Sequence, residues 1–481
     1  MSKYIPTVGL EIHAELRTET KMFCDSKNDP FNSAPNTNVC PICMGHPGTL
    51  PVINKKAVEH VLRVGMAIGA ELADFTEFDR KNYFYPDIPK GYQLSQYKYP
   101  LVKGGELAGI KITRVHLEED TASSGHDEGD YSLVDFNRAG VPLMELVTEP
   151  VIHSAEEAGN FGRELQLLLR TLGVSEANME KGEMRVEANI SVATEENTKA
   201  KKFGTKVEVK NLNSFKAAEK AIAYEVARHI EVIESGGKII QETRGWEDST
   251  GKTFSQRQKE DSHDYRYFPD PDLPKLKISE IPEFSHANLK KTIPELPWEK
   301  RDRLGKLGLK PMDIYIYVSV PAVGAFFEAA TAKMAQKQAV LTASNYILTD
   351  VLGLIKKKFG EGREEEISKM PFGPGEFTKL VAMIESKKVS SRGAKDILSI
   401  MFEKGGDPEK IATENNLIQK SDEGAVKKIA EEVVAENPAV VAEYKSGKQA
   451  SLQFLIGQGM KKSKGSANPE VLRTALISLL S

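Results

Sequence analysis

The sequence predicts an α+β protein, with a mixed-sheet cradle domain followed by an all-helical domain and a small helical tail domain. Short runs of β-forming residues, bounded by Gly, Pro, Asn and Asp, fill the chain up to about residue 290. Two long amphipathic helical patterns interrupt these runs. Strand signals almost disappear beyond residue 300, where helical periodicity replaces them.

Five runs in the first part of the chain have the composition of strands. They are YIPTVGLEIHAEL, GIKITRVHL, YSLVDFNRAGVPLMELVTEP, MRVEANISV and GTKVEVKNL. Each is rich in Val, Ile, Leu and Thr and ends at residues that favour turns. We therefore expect an antiparallel or mixed sheet in this domain.

Two helices are predicted among these strands. The first begins at a capping box formed by Ser154 and Glu157 and ends before Gly173. Its apolar stripe consists of Phe161, Leu165, Leu168, Leu169 and Leu172. The second has a stripe of Ala218, Ile222, Val226, Ile230 and Ile233 and ends at the glycines 236–237.

Two breaks divide the chain into three predicted domains. Pro282, Pro294 and Pro297 mark a linker, and the glycines 405–406 followed by Asp407 and Pro408 mark a helix end and a new helix start. The predicted domains are a cradle domain, a helical domain and a helical tail domain, at residues 1–293, 294–406 and 407–481.

Composition limits the functional classes. A chain of 481 residues is too long for one core, and 40% hydrophobic with 28% charged residues is typical of globular proteins. The net charge of −4 gives no general case for nucleic-acid binding, so any such surface has to be local. The sequence has three cysteines and no apolar run long enough to cross a bilayer, which favours a cytoplasmic protein without a membrane segment.

Three predicted strands carry carboxylates next to apolar residues. Alternation places Glu11 and His13 on one face of the first strand. The same rule places Glu145 and Glu149 on one face of VPLMELVTEP, and HLEED offers either of the acids at 118–119, depending on register. Together these strands could converge on one divalent cation with oxygen ligands. Alternatively, each is the polar face of a half-exposed sheet.

Two segments could contact nucleic acid. Residues 78–100 mix Arg80, Lys81, Lys90 and Lys98 with Tyr and Phe, which suits stacking on a single strand, although these rings could also pack under the domain. Residues 444–473 carry six basic residues against one acid, Glu470, and are either a phosphate contact or a solvated surface. The basic residues are Lys445, Lys448, Lys461, Lys462, Lys464 and Arg473.

Cys24, Cys40 and Cys43 form half of a zinc signature. A closed site needs a fourth ligand, which His46 or another residue could supply; reduced, partly buried thiols are the alternative. The sequence has no P-loop, kinase-type glycine loop or G-x-S-x-G elbow. If the protein handles ATP, it does so through a metal ion and carboxylates.

Several long motifs together resemble the B subunits of the bacterial tRNA-dependent amidotransferases, and the resemblance runs the length of the chain. The motifs are VGLEIHAEL, NTNVCPICMGHPGTLPVIN, FDRKNYFYPDIPKGYQLSQ, HLEEDTA, DFNRAGVPLMELVTEP, EVKNLNSF, DYRYFPDPDLP and FLIGQGMKKSKGSANP. That family converts Glu-tRNA(Gln) to Gln-tRNA(Gln) and Asp-tRNA(Asn) to Asn-tRNA(Asn), so the resemblance implies a glutamine-dependent carbon–nitrogen ligase.

The resemblance implies that ATP phosphorylates the side-chain carboxylate of the charged tRNA and that ammonia then displaces the phosphate. It places the family's Mg²⁺ site on Glu11, His13, Glu119 and Glu145, with Glu118, Asp120 and Glu149 around it. The chain shows no activated nucleophile for glutaminase chemistry. A heterotrimer with an amidase-type A subunit and a small C subunit is therefore implied.

The resemblance also assigns substrate contacts. Loops around Lys81, Asn82, Tyr83 and Tyr85, and around residues 210–213 with Lys210 and Asn211, would line the pocket for the tRNA 3′ end or the ammonia route. The tail would bind tRNA through Lys461, Lys462 and Lys464. Some family members carry a further cysteine for zinc in the early loop, which this chain lacks. The rival hypothesis is a non-catalytic tRNA-binding adaptor of a multi-subunit complex.

Overall fold

The computed structural model describes residues 3–125, 129–258, 265–419, 423–463, 467 and 469–480. The chain forms two compact units, Met1–Pro297 and Trp298–Ser481. The first unit is built on a mixed sheet and the second is helical. The predicted α+β fold class is confirmed, whereas the division into three domains stays a prediction.

The first unit contains strands of very different lengths. They are β1 (Tyr4–Glu15), β2 (Glu71–Leu72), β3 (Phe75–Thr76), β4 (Asp79–Asn82), β5 (Tyr92–Ser95), β6 (Val102–Lys103), β7 (Glu106–Leu107), β8 (Ile110–Glu119), β9 (Ser123–Gly125), β10 (Leu133–Asp135), β11 (Pro142–Thr148), β12 (Met184–Thr194), β13 (Val207–Leu212), β14 (Glu242–Glu247), β15 (Lys252–Gln258), β16 (Phe268–Pro269) and β17 (Leu276–Lys277). The helices of this unit are α1 (Lys55–Ala67), α2 (Ala155–Thr171), α3 (Glu195–Lys199), α4 (Phe215–Glu234) and α5 (His286–Lys291), with 3₁₀ turns at Ile278–Glu280 and Pro282–Phe284.

The main sheet has the order β15-β14-β13-β12-β1-β11-β8-β5-β4-β16. Strands β13 and β14 run parallel, and the other neighbours in this order run antiparallel. The short strands β6 and β7 pair with β8, and β2 pairs with β6. The long strands β1, β8, β11 and β12 are therefore neighbours at the centre of the sheet.

Alternation along β1 gives the sheet one apolar face. Leu10 and Ile12 are buried, while Glu11 and His13 point to the opposite face. Helix α4 packs on β12 and against α2, and α2 buries the apolar stripe predicted for it. In α4 only Ala218 and Ile222 of the predicted stripe are buried; the buried face continues through Glu225 and His229, and Val226, Ile230 and Ile233 are half-buried. The capping box of α2 is present, because the Ser154 hydroxyl accepts from the backbone N–H of Glu157, whose carboxylate accepts from that of Ser154.

Helix α1 is not predicted from the sequence, although its signals are present. The Asn54 side chain caps the helix by accepting from the backbone N–H groups of Lys56 and Ala57. Val58, Val61 and Leu62 have helical spacing and are buried. Asn54 follows a stretch that contains Pro and Gly and is typical of a loop, so the sequence gives no clear signal that a helix begins there.

The second unit consists of helices. They are α6 (Pro297–Lys306), α7 (Pro311–Ser319), α8 (Pro321–Thr331), α9 (Lys337–Asn345), α10 (Leu352–Phe359), α11 (Pro374–Glu385), α12 (Ser391–Lys404), α13 (Pro408–Glu414), α14 (Glu423–Glu436), α15 (Pro438–Lys445), α16 (Ala450–Lys462) and α17 (Pro469–Leu480). A π-helical turn, Tyr346–Val351, joins α9 to α10, and a 3₁₀ turn covers Glu364–Lys369. Helix α12 ends at Gly405, whose φ is 70°, and Asp407 caps α13, as the sequence predicts.

The last four helices share a core of their own. It is formed by Val426, Ala430, Val433, Leu452, Leu455, Ile456, Ala467, Leu472, Leu476 and Leu480. Elsewhere in this unit, the stretch Lys337–Phe359 has the length and mean hydropathy (1.2) of a weak candidate for a membrane span. Core helices of globular proteins have the same properties, so this stretch is weak evidence for a membrane segment.

Candidate active site

A row of ionisable side chains crosses the central strands on the polar face of the sheet. His13 on β1 lies opposite Glu145 on β11 and, on its other side, opposite Arg185 on β12. Glu145 in turn lies opposite His116 on β8. Residues directly opposite in neighbouring strands share a face, so the sheet register brings these four side chains together.

His13 lies at the centre of three carboxylates. Its Nε2 atom is 3.5 Å from Glu118 Oε1, 3.5 Å from Glu145 Oε2 and 3.8 Å from Glu11 Oε1. Glu118 and Glu145 are buried, so their repulsion is poorly screened by water. The position among these oxygens therefore has to be taken by a positive group.

The protonation of His13 reflects this arrangement. Burial alone lowers the pKa of His13, but the hydrogen bond with Glu145 and the charges of Glu118 and Glu11 outweigh it and raise the pKa to about 9. Burial, together with the charge of Glu145, raises the pKa of Glu118 to about 7. At neutral pH, an imidazolium thus sits where a divalent cation would be surrounded by oxygen ligands.

The carboxylates and imidazoles fit a hard divalent cation. Ligand atoms of Glu11, His13 and Glu145 lie within 4.8 Å of one another, and so do those of His116, Glu118 and Glu145. Burial lowers the pKa of His116 to about 4, and its Nδ1 has no hydrogen-bond partner among the described residues. Oxygen ligands with one or two neutral imidazoles suit Mg²⁺ or Mn²⁺.

The structure corrects the position of one predicted ligand. Glu118, and not Glu119, joins Glu11, His13 and Glu145. Because neighbouring residues of a strand face opposite sides, Glu119 points away from this cluster. Its carboxylate binds the Lys90 ammonium and accepts from the backbone N–H of Leu94 (3.1 Å).

The two other acids expected near the site have different partners. Asp120 is buried and binds the guanidinium of Arg185. Glu149 lies beyond a bulge between Val147 and Thr148, and it accepts a hydrogen bond from Thr113 (2.7 Å). The extra residue of the bulge, Thr113, lies on β8, so alternation along β11 still places Glu149 on the side of Glu145, but its partner is Thr113 and not a member of the cluster.

A cavity of about 190 Å³ opens above the cluster and has cations in its wall. Among its lining residues, Lys81, Arg185 and Lys210 are basic, while Glu11, Glu118, Asp120 and Glu187 are acidic. Lys210 binds Glu187 (2.8 Å). Lys81 and Lys210 were predicted from the resemblance, but Arg185 is not predicted, because a lone Arg inside MRVEANISV gives no sequence signal.

Tyrosine rings continue from the cavity toward solvent. We call Tyr85, Tyr83, Tyr265, Tyr267 and Tyr97 the tyrosine row, because each ring contacts the next. Tyr97 and Tyr267 stack with centroids 4.0 Å apart, and the two ends of the row, Tyr85 and Tyr97, are 60% and 61% exposed. The Lys81 ammonium lies 5.1 Å from the Tyr265 ring and 5.7 Å from the Tyr83 ring. The row thus offers exposed π-faces beside a cation at the cavity.

Comparison with known proteins identifies the family. Residues 6–282 match the GatB/GatE catalytic domain, and residues 325–480 match the GatB domain. The chain belongs to the GatB/GatE family.

Full-length relatives support the assignment to the GatB/GatE family. The chain is 41% identical over 489 aligned positions to the B subunit of the aspartyl/glutamyl-tRNA(Asn/Gln) amidotransferase of Carboxydothermus hydrogenoformans, covering 99% of this chain and 98% of that protein. It is 43% identical to the proteins of the same name from Persephonella marina (99% and 100% covered) and Thermus thermophilus (99% and 99%).

The three cysteines lie close together but supply only three of the four ligands that a structural zinc site needs. The Sγ atoms of Cys24, Cys40 and Cys43 lie within 4.8 Å of one another, and the described residues add no fourth His, Cys, Asp or Glu to this group. His46 is exposed; instead, the buried Lys21 points its Nζ at Cys43 Sγ (3.7 Å). A hydrogen bond from Cys24 lowers the pKa of the Cys43 thiol to about 4, although burial opposes it. A zinc ion there stays a prediction.

The remaining residues predicted to contact substrate differ in their exposure and in their partners. Asn211 is exposed, with a φ of 63°. In the tail, Lys461 is exposed, whereas Lys462 binds Glu432 (3.0 Å) and Glu436 (2.5 Å). Lys464 lies outside the described residues. Lys461 is thus more available for an RNA phosphate than Lys462 is.

Proposed function

We propose that this chain is the ATP-dependent transamidation subunit of a cytoplasmic, heterotrimeric amidotransferase. It would phosphorylate the side-chain carboxylate of Glu-tRNA(Gln), Asp-tRNA(Asn) or both, and then amidate it. The observation that carries the proposal is the convergence of Glu11, His13, Glu118 and Glu145 on one sheet face. The full-length relatives are named as B subunits of aspartyl/glutamyl-tRNA(Asn/Gln) amidotransferases, which supports this substrate class.

The chemistry explains why ATP is needed. A carboxylate is a poor electrophile, because its leaving group would be oxide. Attack of a carboxylate oxygen on the γ-phosphorus of ATP forms an O–P bond, breaks the bond to the β,γ-bridging oxygen and releases ADP. Ammonia then attacks the acyl carbon, the bond from carbon to the phosphate oxygen breaks, and the nitrogen loses a proton to leave the amide.

The acidic cluster supports a role for Mg²⁺. Bound Mg²⁺ would bring ATP phosphates next to the substrate carboxylate and neutralise charge that develops during transfer. Glu11, Glu118 and Glu145 would hold it through oxygens, with His13 as the nitrogen ligand once its proton has left. Lys81 and Lys210 would meet the excess negative charge of the two substrates at the cavity wall.

The tyrosine row supports binding of a single-stranded 3′ end. Aromatic rings stack on unpaired bases, and a nearby cation binds the RNA backbone. Lys81 combines both features, because it lies against the rings of Tyr83 and Tyr265 and also lines the cavity. A charged 3′ end lying along the row would place its aminoacyl group toward the carboxylates.

Ammonia has to reach the site from a partner. Cys43, a thiol with a base beside it (Lys21 Nζ, 3.7 Å), is buried and does not line the cavity above the carboxylates. An amidase-type A subunit would release ammonia from glutamine, and a small C subunit would complete the heterotrimer. Glutamine would then be the amide donor of the whole complex.

The test is ADP release by the purified complex. The proposal expects ADP to form only when ATP, Mg²⁺ and a charged Glu-tRNA(Gln) or Asp-tRNA(Asn) are all present, and the amidated tRNA to follow when glutamine is added. A chain that binds the charged tRNA and releases no ADP would instead be a non-catalytic adaptor. Omitting glutamine is the internal control, since phosphorylation precedes amidation.

A further inference from the structure

We infer that Arg185 binds the phosphoryl group during its transfer from ATP to the substrate carboxylate. This inference rests on the proposed function and assigns a residue to it. Arg185 lies on β12, directly opposite His13 on β1, and its side chain lines the cavity above the carboxylates. It is therefore one strand away from the centre of the cluster.

A buried carboxylate holds the guanidinium in a fixed orientation. One terminal nitrogen of Arg185, Nη2, binds Asp120, which is buried and follows directly after β8. Asp120 is itself fixed, because its other oxygen accepts from the backbone N–H of Thr121 (2.8 Å) and Arg138 lies 3.8 Å away. An anchored partner reduces the number of orientations that Arg185 can adopt.

The opposite side of the guanidinium is available for a ligand. Within the part of the chain that the structure describes, no acceptor binds Nε or Nη1 of Arg185. The side chain is 37% accessible, and the cavity lies next to it. A planar fork with two free donors matches two oxygens of a phosphoryl group.

The two lysines that line the cavity are already engaged, and the His13 imidazolium lies among the three carboxylates. Lys210 binds Glu187 at 2.8 Å and lies 3.8 Å from Glu208. Lys81 lies against the rings of Tyr83 and Tyr265. Arg185 differs from these side chains, because its partner Asp120 orients the guanidinium and leaves two of its nitrogens free to donate. It can therefore bind a phosphoryl group in a fixed geometry, in addition to neutralising charge.

The transfer step explains the need for such a group. As the γ-phosphorus moves from the bridging oxygen of ADP to the carboxylate oxygen, negative charge spreads over its three equatorial oxygens. The carboxylates of the cluster repel that charge. A fixed guanidinium stabilises it without having to reorganise during the reaction.

The first test compares Arg185→Gln and Arg185→Lys in the purified complex. For Arg185→Gln we expect the kcat of charged-tRNA-dependent ADP release to fall about 10²-fold or more, with the KM for ATP changed by less than about threefold. Arg185→Lys keeps the charge but not the fork, and should recover only a small part of the loss. The matched control is Arg17→Gln, since Arg17 is an exposed arginine that pairs with Glu176.

A binding readout separates transfer from ground-state binding. With Mg²⁺ and charged tRNA present, Arg185→Gln should weaken binding of ADP with aluminium fluoride, a mimic of the planar phosphoryl group, about tenfold or more. Binding of β,γ-imido-ATP should change by less than about threefold. Equal weakening of both ligands would overturn the inference, because it would make Arg185 a ground-state contact.

A double variant tests whether Arg185 merely neutralises Asp120. In that structural role, Asp120→Asn combined with Arg185→Gln would restore both the melting temperature and ADP release. We expect it to restore the melting temperature but not ADP release, and added guanidinium ion to rescue Arg185→Ala partly. Wild-type ADP release with an equally active Arg185→Gln would overturn only this inference, whereas no ADP release by the wild-type complex would overturn the proposed function.

Discussion

At the scale of single residues, the adjacent acids Glu118 and Glu119 show how strand alternation separates two roles. Glu118 faces His13, and Glu119 faces Lys90 on the other side of the sheet. The family resemblance assigns the metal to Glu119, but nothing in HLEED says which acid faces the cluster. The pairing of β8 with β11 and β5 decides it.

The variants Glu118→Gln and Glu119→Gln should therefore affect different properties, the first ADP release and the second stability. Glu118→Gln should lower charged-tRNA-dependent ADP release about 10²-fold, because a ligand oxygen is replaced by an amide. It should melt near the wild-type temperature, since an acid with a pKa of about 7 is partly neutral already. Glu119→Gln leaves the partly buried Lys90 ammonium uncompensated and should cost about 3 kcal/mol of stability. ADP release and thermal melting measure the two effects. Loss of ADP release in Glu119→Gln and loss of stability in Glu118→Gln would indicate that Glu119 is the ligand.

The imidazolium of His13 predicts a pH-dependent metal affinity. A metal ion needs neutral His13, and its pKa of about 9 means that the ion has to displace a proton at neutral pH. Mn²⁺ affinity should rise about tenfold per pH unit between about pH 7 and 9, more steeply below pH 7, where Glu118 also has to lose a proton, and level off above pH 9. Without metal, the stability of the fold has the opposite pH dependence to metal affinity. The raised pKa of His13 stabilises the fold fully below pH 6.5, and this contribution is lost as the pH rises through about 9.

Titration of Mn²⁺ into the chain at several pH values checks this prediction. His13→Asn removes the titrating group and keeps a polar side chain, so its affinity should be weaker and depend less on pH. The matched control is His153→Asn, because His153 is exposed and contacts the carbonyl of Pro6 (2.8 Å) outside the cluster. An affinity that does not change with pH in the wild-type chain would remove His13 from the ligand set.

At the scale of elements, the sequence shows which residues share a strand face, but not which strands are neighbours. Alternation within VGLEIHAEL puts Glu11 and His13 together, and the same rule applied to VPLMELVTEP points Glu145 to a polar face. The meeting of these faces depends on the order β12-β1-β11-β8, which joins segments far apart in the sequence. Arg185 enters the site only through that pairing, whereas Glu149 lies just past the end of β11 and contacts Thr113 instead of the cluster.

One buried acid, Glu225, connects α4 to strands β14 and β15. Its carboxylate binds Arg228 (2.7 Å), lies 3.2 Å from Arg244 on β14 and accepts from Thr253 on β15. Burial raises the pKa of Glu225, but the His229 ring 3.3 Å away and the hydrogen bonds from Arg228 and Thr253 outweigh it and lower the pKa to about 2. A lowered pKa stabilises the fold above the ordinary value of 4.5, and this stabilisation is lost as the pH falls toward 2.

Glu225→Gln should therefore cost about 3 kcal/mol at neutral pH and reduce the loss of stability between pH 4.5 and 2. Urea unfolding followed at several pH values measures both effects. Glu219→Gln is the control on the same helix, because Glu219 is partly exposed and pairs with Arg163 (2.7 Å). Equal pH profiles for wild type and Glu225→Gln would contradict the prediction.

The tyrosine row joins two segments separated in sequence, residues 83–97 and 265–267. Tyr97→Ala and Tyr85→Ala remove its exposed ends and should each weaken binding of charged tRNA by about 1–3 kcal/mol, the value of one stacked base. Tyr97→Phe keeps the π-face and should bind like wild type. Fluorescence anisotropy of labelled tRNA measures the affinities; Phe31→Ala, an exposed aromatic outside the row, is the control. Unchanged binding by both alanine variants would exclude stacking on the row.

At the scale of the whole molecule, the proposed chemistry and the proposed tRNA contact of the tail lie in different units. The carboxylate cluster belongs to Met1–Pro297, and the tail helices belong to Trp298–Ser481. Among the residues that the structure describes, the members of the core of α14 to α17 all lie within 426–480. This core can therefore be removed without opening the core of the sheet.

Deletion of residues 423–481 should separate tRNA affinity from catalysis. Lys445 and Lys461 are exposed and have no carboxylate partner among the described residues, so both can meet RNA phosphates. The shortened chain should show a KM for charged tRNA raised about tenfold or more, and a smaller decrease of affinity with salt, because fewer counterions are released. Its kcat and its Mn²⁺ affinity should stay near wild type, since the carboxylates keep their sheet. The double variant Lys445→Gln/Lys461→Gln should reproduce the change in salt dependence in the intact chain, whereas a deletion that abolishes Mn²⁺ binding would show that the tail helps to build the cluster itself.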